Sequence, residues 1–500
     1  MKGKGGSADA PEGARAKRLV RLFVEGVRHF EAGRLTEAKD AYLQILAVDV
    51  RHAPSLSGLG MIAQRSGNAD VAEKMMRRAI AADDKKAEYH FSLGIALQVQ
   101  GKYADALSAF QRAASLDPAN LPAHFRVGNV LQLEGRLDEA IAAYESILAI
   151  KPNSPDAEFN IGNVLRLKGR LAEARTRYGR ALQLDPENLD TKWNLALLDL
   201  LEGDLAAGWP LYEVRQRRPT PNLRKFSKPQ WKGEPLEGAA ILLHAEQGLG
   251  DTLQFLRYVP MVAARGGRVL LDVPKEIKRL AAEIPGVSEV TATGEPIAPH
   301  EWQCPLMSLA LAFGTTIDSI PDAVPYLKIP DEARRAAGQY PWPEGGLRVG
   351  LVWGAVTRSF EDSDRSIPLA LFETIFATKD AHFFSLQLGP QAREMDTLQA
   401  AVTDLREAIA DFADTAALVS HLDLVITVDT SVAHIAGALG KRTWVLLPFS
   451  SDWRWLTGRD DSPWYPTMCL FRQPQPRDWG SVLERVRVEL RAQSQDFKKK

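Results

Sequence analysis

One pattern of small residues recurs every 34 residues through the N-terminal part of the chain. Glycine occupies one position in five units and a second position, seven residues later, in six, and alanine occupies a third position in five. The three series are Gly26, Gly60, Gly94, Gly128 and Gly162; Gly33, Gly67, Gly101, Gly135, Gly169 and Gly203; and Ala38, Ala72, Ala106, Ala140 and Ala174. A fixed period of this length is typical of stacked helix pairs. The period stops near Tyr212, so a segment of another kind follows.

Each unit is predicted to form a helix, a short turn and a second helix. Gly128 lies midway along the first helix of its unit. Glycine costs about 1 kcal/mol there relative to alanine, so we expect a neighbouring helix to approach closely. Gly135 follows that helix where left-handed backbone is favoured, and Pro152 ends the second helix. Ala140 and Tyr144 are four residues apart and should share one helix face.

This pattern resembles the tetratricopeptide repeat over residues 18–216, in about six units. The resemblance implies a superhelix whose concave groove binds a protein or peptide. Asn160 and Asn194 are predicted to lie in that groove, where side-chain amides can hold a peptide backbone, as the asparagine ladder does in the similar superhelix of O-linked N-acetylglucosamine transferases. The ladder is broken elsewhere, and two asparagines that only solvate a helix face remain the alternative. The equivalent positions are Gly58, Ser92 and Arg126.

The composition and net charge of the chain limit the classes of function that it can have. A chain of 500 residues with 45% hydrophobic and 25% charged residues is typical of a globular protein with several domains. The net charge of −1 argues against a nucleic-acid partner. Cys304 and Cys469 are too few for a disulfide framework and lack metal-site spacing. We see no signal peptide and no apolar run that could span a bilayer, so we expect a cytoplasmic protein that is not integral to a membrane.

The rest of the chain predicts an α/β architecture, so the fold class is α + α/β. Short apolar runs alternate with helical stretches, of which 252–265 is the first, and they form two sets of strands. Two Rossmann-like lobes are therefore expected to face each other across a cleft. The predicted strands are 239–244, 268–273, 288–291 and 302–305, then 347–353, 382–386, 423–428 and 442–447. The predicted domains are a tail 1–17, repeats 18–216, a linker 217–237, lobes 238–335 and 336–490, and a tail 491–500.

Candidate site residues follow the strands, because ligands of such sheets bind at the carboxyl ends of the strands. Gly248 and Gly250 allow a tight turn, and Asp251 after them is a candidate general base. The alternative is that Asp251 only caps a helix. Asp429 ends a later strand, where its carboxylate could hold ribose hydroxyls. Further donor-binding candidates there are Thr430 and Ser431, whose backbone N–H groups could cradle a diphosphate, and His434, although a capped helix with a buried histidine is the plainer alternative.

A third segment runs from Trp353 to Pro368. Arg358 and Arg365 could neutralise a pyrophosphate with forked donors, although a solvated surface loop has the same composition. The run Asp362-Ser363-Asp364 looks like a metal-binding motif of another transferase fold. We interpret it as chance and predict neither a metal ion nor a bound cofactor.

Together these segments resemble the glycosyltransferase-B fold over about 238–490, and specifically the ADP-heptose:lipopolysaccharide heptosyltransferase family. The resemblance implies that Asp251 is the catalytic base and that Asp429, Thr430 and His434 bind the nucleotide diphosphate of the donor sugar. Trp453 and Trp455 lie in a motif similar to that of a bacterial subfamily that joins such repeats to this kind of domain. Their rings could stack on a base or sugar, or belong to the core.

The resemblance predicts a metal-independent inverting hexosyl- or heptosyltransferase with a nucleotide sugar as donor and a protein as acceptor. Two departures leave alternatives open. Residues 352–368 contain no lysine, whereas the family uses one for phosphate, so Arg358 or Arg365 must substitute or the activity is altered or lost. Lipopolysaccharide heptosyltransferases also lack the repeats. A repeat scaffold with a degenerate transferase-like domain is the rival, and both a monomer and a homo-oligomer remain open.

Overall fold

The computed structural model describes residues 9–218, 224–355, 365–398 and 402–497. Contacts between Cα atoms divide the chain into two compact units, Met1–Pro186 and Glu187–Lys500. The first unit is helical, and the second carries two parallel sheets with flanking helices. No helix within the described ranges is long and apolar enough to cross a bilayer.

Ten helices in the described part of the first unit form five antiparallel pairs. They are α1 (Asp9–Glu31), α2 (Leu35–Leu46), α3 (Ala53–Arg65), α4 (Ala69–Ala82), α5 (Ala87–Val99), α6 (Tyr103–Leu116), α7 (Leu121–Leu133), α8 (Leu137–Ile150), α9 (Pro155–Leu167) and α10 (Leu171–Leu184). An asparagine caps α7 and a serine caps α9; Asn120 accepts a hydrogen bond from the Ala123 N–H at 3.0 Å.

The recurring glycines permit close helix packing, as predicted. A Cβ added at Gly128 would lie 2.5 Å from Cε1 of Tyr144, whose ring is fully buried against α7. The Tyr144 hydroxyl donates to Asn129 at 2.6 Å. Gly135 has a φ of +75°, so the predicted left-handed turn after the first helix is also confirmed.

A sixth helix pair keeps the repeat register but belongs to the second unit. It consists of α11 (Leu189–Glu202) and α12 (Leu205–Tyr212). The Trp209 indole donates to the Thr315 carbonyl at 2.9 Å, and the buried Arg215 bonds Glu246 at 2.7 Å and Ser308 at 2.6 Å. The compact division at Pro186 therefore falls one helix pair before 216, where the sequence predicts that the repeats end.

The region 217–237, predicted to be a linker, is anchored in its described part. Residues 224–237 have no helix or strand, but Trp231 is buried and its backbone N–H donates to the Gln303 carbonyl at 2.8 Å. Arg224 pairs with the buried Asp272 at 2.8 Å. Proline and glycine thus prevent regular structure here without preventing packing.

The first sheet is parallel, with the strand order β3-β2-β1-β4. Its strands are β1 (Ala240–His244), β2 (Arg268–Val273), β3 (Val287–Ala292) and β4 (Trp302–Pro305). The helices that accompany it are α13 (Leu249–Phe255), α14 (Val259–Ala263), α15 (Lys278–Ala281) and α16 (Leu309–Ala312). The next helix, α17 (Asp331–Gly338), packs against a helix of the second sheet. The central β1 is buried along its whole length, which explains its unbroken apolar sequence.

The second sheet is parallel, with the order β10-β9-β8-β5-β6-β7. Its strands are β5 (Leu347–Val352), β6 (Ala381–Ser385), β7 (Val402–Asp404), β8 (Leu424–Val428), β9 (Thr443–Leu447) and β10 (Met468–Arg472). The helices are α18 (Glu373–Phe376), α19 (Phe412–Ser420), α20 (Ser431–Ala438) and α21 (Trp479–Phe497). Counted from β5, this is the 3-2-1-4-5-6 order of the doubly wound fold, whose switch point lies between β5 and β8.

The predicted long helix over 252–265 is wrong. Helix α13 ends at Phe255, a 3-10 turn covers Leu256–Tyr258, and α14 begins at Val259. Pro260 has no N–H to donate to the carbonyl of Leu256, so a continuous helix would lose a hydrogen bond there. The strands β7 and β10 are additional to those that the sequence predicts.

Candidate active site

Asp251 lies at the switch point of the first sheet, at the start of α13. Gly248 is the N-cap of that helix and Asp251 is its third residue. The Asp251 carboxylate accepts the Gly248 N–H at 2.7 Å, so the capping alternative is present in the structure, from the third position of the helix. The side chain is 20% exposed and therefore remains partly open to a ligand.

Arg454 holds the other oxygen of the same carboxylate. Its guanidinium donates to Asp251 Oδ1, to Asp452 Oδ1 at 2.7 Å and to Gln254 Oε1 at 2.9 Å. The side chain lies over the Trp453 ring at 4.2 Å and is only 9% exposed. The sequence motif contained this residue, but its pairing with the candidate base was missed.

The second strand-end segment lies at the switch point of the second sheet. Thr430 is the N-cap of α20, and its hydroxyl accepts the Val432 N–H at 3.3 Å, so the predicted helix start at Thr430 and Ser431 is confirmed. Asp429 directly precedes this helix and is 6% exposed. Burial and the charge of Asp452 raise the pKa of Asp429 to about 6, partly offset by the positive charges of Arg365 and Arg454.

His434 is buried one turn into α20. Its Nδ1 lies 2.9 Å from the Tyr465 hydroxyl, and its ring stacks on Trp455 with centroids 5.6 Å apart. Burial and the nearby charges of Arg454 and Arg257 hold the pKa of His434 well below its ordinary value. The imidazole is therefore neutral at physiological pH.

The two strand-end segments come together within the second unit. A Cβ added at Gly250 would lie 2.7 Å from Cδ2 of His434 and 3.6 Å from the Cα of Ser431. Only glycine permits this approach of α13 to α20. The candidate base and the candidate donor-binding segment thus form one cluster, although Asp251 and Asp429 are 178 positions apart in the sequence.

The third predicted segment is only partly described. Arg365 reaches the donor side, where its Nη1 lies 3.5 Å from the Asp429 carbonyl and 3.9 Å from Asp429 Oδ2. Arg358 and the run Asp362-Ser363-Asp364 lie outside the described residues. Within the described ranges, no group of three or more His, Cys, Asp or Glu side chains is arranged to hold a metal ion.

The predicted stacking residues are buried within the protein. Trp455 is fully buried, and Trp453 is 3% exposed with its ring edge-on to Trp209 at 5.4 Å and to Tyr212 at 6.0 Å. The structure therefore favours the core alternative for both rings. Trp453 joins the α11–α12 pair to the segment that carries Arg454.

The predicted groove residues lie on first helices of their pairs, Asn160 on α9 and Asn194 on α11. The Asn160 amide donates to the Asp156 carbonyl of its own helix at 2.7 Å. Its other atoms keep the capacity to bind a peptide, and groove binding by both residues stays a prediction.

Comparison with known families agrees with a chain of helical repeats followed by an α/β part. Residues 23–87, 57–120 and 91–155 match the tetratricopeptide repeat, and 162–199 match the TPR repeat. Residues 385–451 match glycosyltransferase family 9 (heptosyltransferase). The chain therefore contains tetratricopeptide repeats in its N-terminal part and a glycosyltransferase family 9 segment near its C-terminus. That segment includes Asp429–His434 and excludes Asp251.

Protein FlbA of Caulobacter vibrioides is similar in sequence, with 29% identity over 315 residues. The match covers 57% of this chain and 52% of FlbA, so the chain spans about half the length of this relative.

Solved structures that are similar include MamA, YrrB and PilF of Pseudomonas aeruginosa. MamA is 28% identical with a TM-score of 0.32, covering 33% of this chain and 96% of its own. YrrB, described as a TPR protein with an unusual peptide-binding site, is 22% identical with a TM-score of 0.33, covering 37% and 96%. PilF is 19% identical with a TM-score of 0.35, covering 41% and 91%.

Proposed function

We propose that this chain is an inverting glycosyltransferase that transfers a sugar from a nucleotide-diphosphate donor to an acceptor. The proposed acceptor is a protein that the repeats recruit. The observation that carries the proposal is the approach of Gly250 to His434, which brings Asp251 and the segment Asp429–His434 together. The family 9 match over 385–451 supports the donor side.

The proposed reaction is a single in-line displacement. Asp251 takes the proton of the acceptor hydroxyl as that oxygen forms a bond to the anomeric carbon. The bond from this carbon to the diphosphate breaks, and its electron pair leaves with the diphosphate. Attack from the opposite face inverts the configuration.

The donor side supplies positive potential for the leaving diphosphate. The N-terminus of α20 carries the positive end of a helix dipole, and Arg365 lies beside Asp429. The neutral His434 serves as a hydrogen-bonding group there. We propose that Asp429 binds donor hydroxyls and that these groups act without a metal ion, because they meet the growing negative charge directly.

The substitution Asp251→Asn tests the proposal. Asparagine keeps an oxygen that accepts the Gly248 N–H but cannot take a proton from the acceptor. We expect the variant to retain binding of a nucleoside diphosphate by calorimetry and to lose turnover of the nucleotide sugar by about a thousandfold or more. Retained turnover would refute the role of Asp251. Failure of the unmodified protein to bind any of ADP, GDP, UDP, CDP or dTDP would favour a non-catalytic repeat scaffold.

A further inference from the structure

The contact between Asp251 and Arg454 is unexpected for a general base. A carboxylate that must take a proton from an acceptor hydroxyl is here bonded by a guanidinium on one oxygen and by the Gly248 N–H on the other. The guanidinium stabilises the carboxylate and occupies part of the oxygen that a hydroxyl would approach. An acceptor hydroxyl that approaches this oxygen must therefore compete with Arg454 for it.

Arg454 has the capacity to bind a second anion. A guanidinium carries five N–H groups, and the described residues provide acceptors for three of them, on Asp251, Asp452 and Gln254. The fork geometry of arginine suits phosphate oxygens as well as carboxylates. Arg454 also lies close to the donor-binding segment, because the next residue, Trp455, stacks on His434 with ring centroids 5.6 Å apart.

A second polar side chain in this cluster, Gln254, has a hydrogen-bond donor without an acceptor among the described residues. Gln254 is fully buried, its Oε1 accepts from Arg454, and its Nε2 has no acceptor among the described residues. A buried amide donor without an acceptor is unfavourable. The unmet Nε2 donor is an observation independent of the ion pair, and an anion bound within its reach would supply the acceptor.

We propose that Arg454 is shared between Asp251 and the diphosphate of the donor, so that donor binding draws the guanidinium away and frees the base. This inference rests on the proposed function and adds that the donor must bind before Asp251 can act as the base. With the donor absent, Arg454 neutralises Asp251 and no acceptor hydroxyl is activated. With the donor bound, Arg454 stabilises the leaving diphosphate, and the Asp251 carboxylate accepts the proton.

The sharing of Arg454 makes a prediction that a purely structural ion pair between Arg454 and Asp251 does not make. If Asp251 competes with the diphosphate for Arg454, then Asp251→Asn should strengthen nucleoside diphosphate binding, by about fivefold to tenfold. Arg454→Gln should weaken it by about tenfold or more. In the double variant the gain from Asp251→Asn should vanish, because the contested cation is gone.

The experiment begins with calorimetry of the full chain against ADP, GDP, UDP, CDP and dTDP. The nucleotide that binds is then titrated into the unmodified protein, Asp251→Asn, Arg454→Gln and the double variant. Asp461→Asn, which breaks the exposed ion pair with Arg459, is the matched control and should leave the affinity unchanged. If Arg454→Gln fails to fold, Arg454→Lys takes its place, since lysine keeps the charge but loses the fork.

Tighter binding by Asp251→Asn, abolished in the double variant, supports the sharing of Arg454. Unchanged or weaker binding by Asp251→Asn overturns it, while the proposed transferase function survives because the nucleotide still binds. Absence of binding to the unmodified protein overturns the proposed function and this inference together.

Discussion

Asp429 provides a test of how the candidate site affects stability. Its carboxylate is buried at the N-terminus of α20, and its pKa rises from an ordinary 3.8 to about 6, chiefly because of burial and secondly because of Asp452. Between about pH 4 and pH 6, the folded protein keeps a proton that the unfolded chain has lost. The free energy of unfolding therefore falls as pH rises through this window, and the loss is complete above it.

The size of the effect follows from the two pKa values. A tenfold change in proton binding corresponds to ~1.4 kcal/mol, so the interval between 3.8 and about 6 corresponds to ~3 kcal/mol at neutral pH. Asparagine has no charge to bury at any pH. We expect Asp429→Asn to be more stable than the unmodified protein by ~1–3 kcal/mol at pH 8, after allowing for an imperfectly bonded amide, and to have no advantage near pH 4.

Urea unfolding followed by tryptophan fluorescence measures this difference. All 11 tryptophans lie in the second unit, so the signal reports the unit that contains Asp429. Asp318→Asn, at an exposed carboxylate of the same unit, is the control and should show no comparable gain. The reasoning is refuted if Asp429→Asn is no more stable at pH 8, or if its advantage is the same at pH 4 and pH 8.

Two further predictions concern packing and the orientation of His434. Gly128→Ala should destabilise the first unit by ~1–2 kcal/mol, because its Cβ would meet Tyr144 at 2.5 Å, whereas Gly179→Ala on α10, with nothing within 4 Å, should stabilise it by ~0.5–1 kcal/mol. Urea unfolding followed by far-UV circular dichroism compares the two, and equal effects would contradict the role of the glycine series. Tyr465→Phe removes the hydroxyl at 2.9 Å from His434 Nδ1 and should weaken nucleoside diphosphate binding about threefold to tenfold, measured by calorimetry; unchanged affinity would show that His434 needs no such partner.

The sequence predicted those features that depend on local periodicity. Gly128 and Gly135 occupy the predicted close approach and left-handed turn because the repeat imposes the same backbone geometry on every unit. The strand β1 was recognised because it is buried on both faces and hence apolar throughout. Asp251 and Asp429 both follow such strands, and this position is what indicates them as candidate site residues.

The missed features depend on contacts that no local pattern encodes. The strand β7 has three residues, too few for a recognisable alternation, and β10 lies at the edge of its sheet. Arg454 pairs with Asp251 across 203 positions, and in sequence it is one charge between two tryptophans. The assignment of Trp453 and Trp455 to the core likewise required knowledge of their distant neighbours.

The placement of the sixth helix pair affects how such a chain can evolve. Trp209 of α12, and Arg215 just after it, are bonded to the rest of the second unit, and duplication or loss of whole 34-residue units before Pro186 does not remove these residues. We therefore expect relatives to differ in the number of repeats while retaining the final pair. The number of repeats and the candidate active site can then change independently, so under the proposed function we expect that new partners can be recruited without a change of that site.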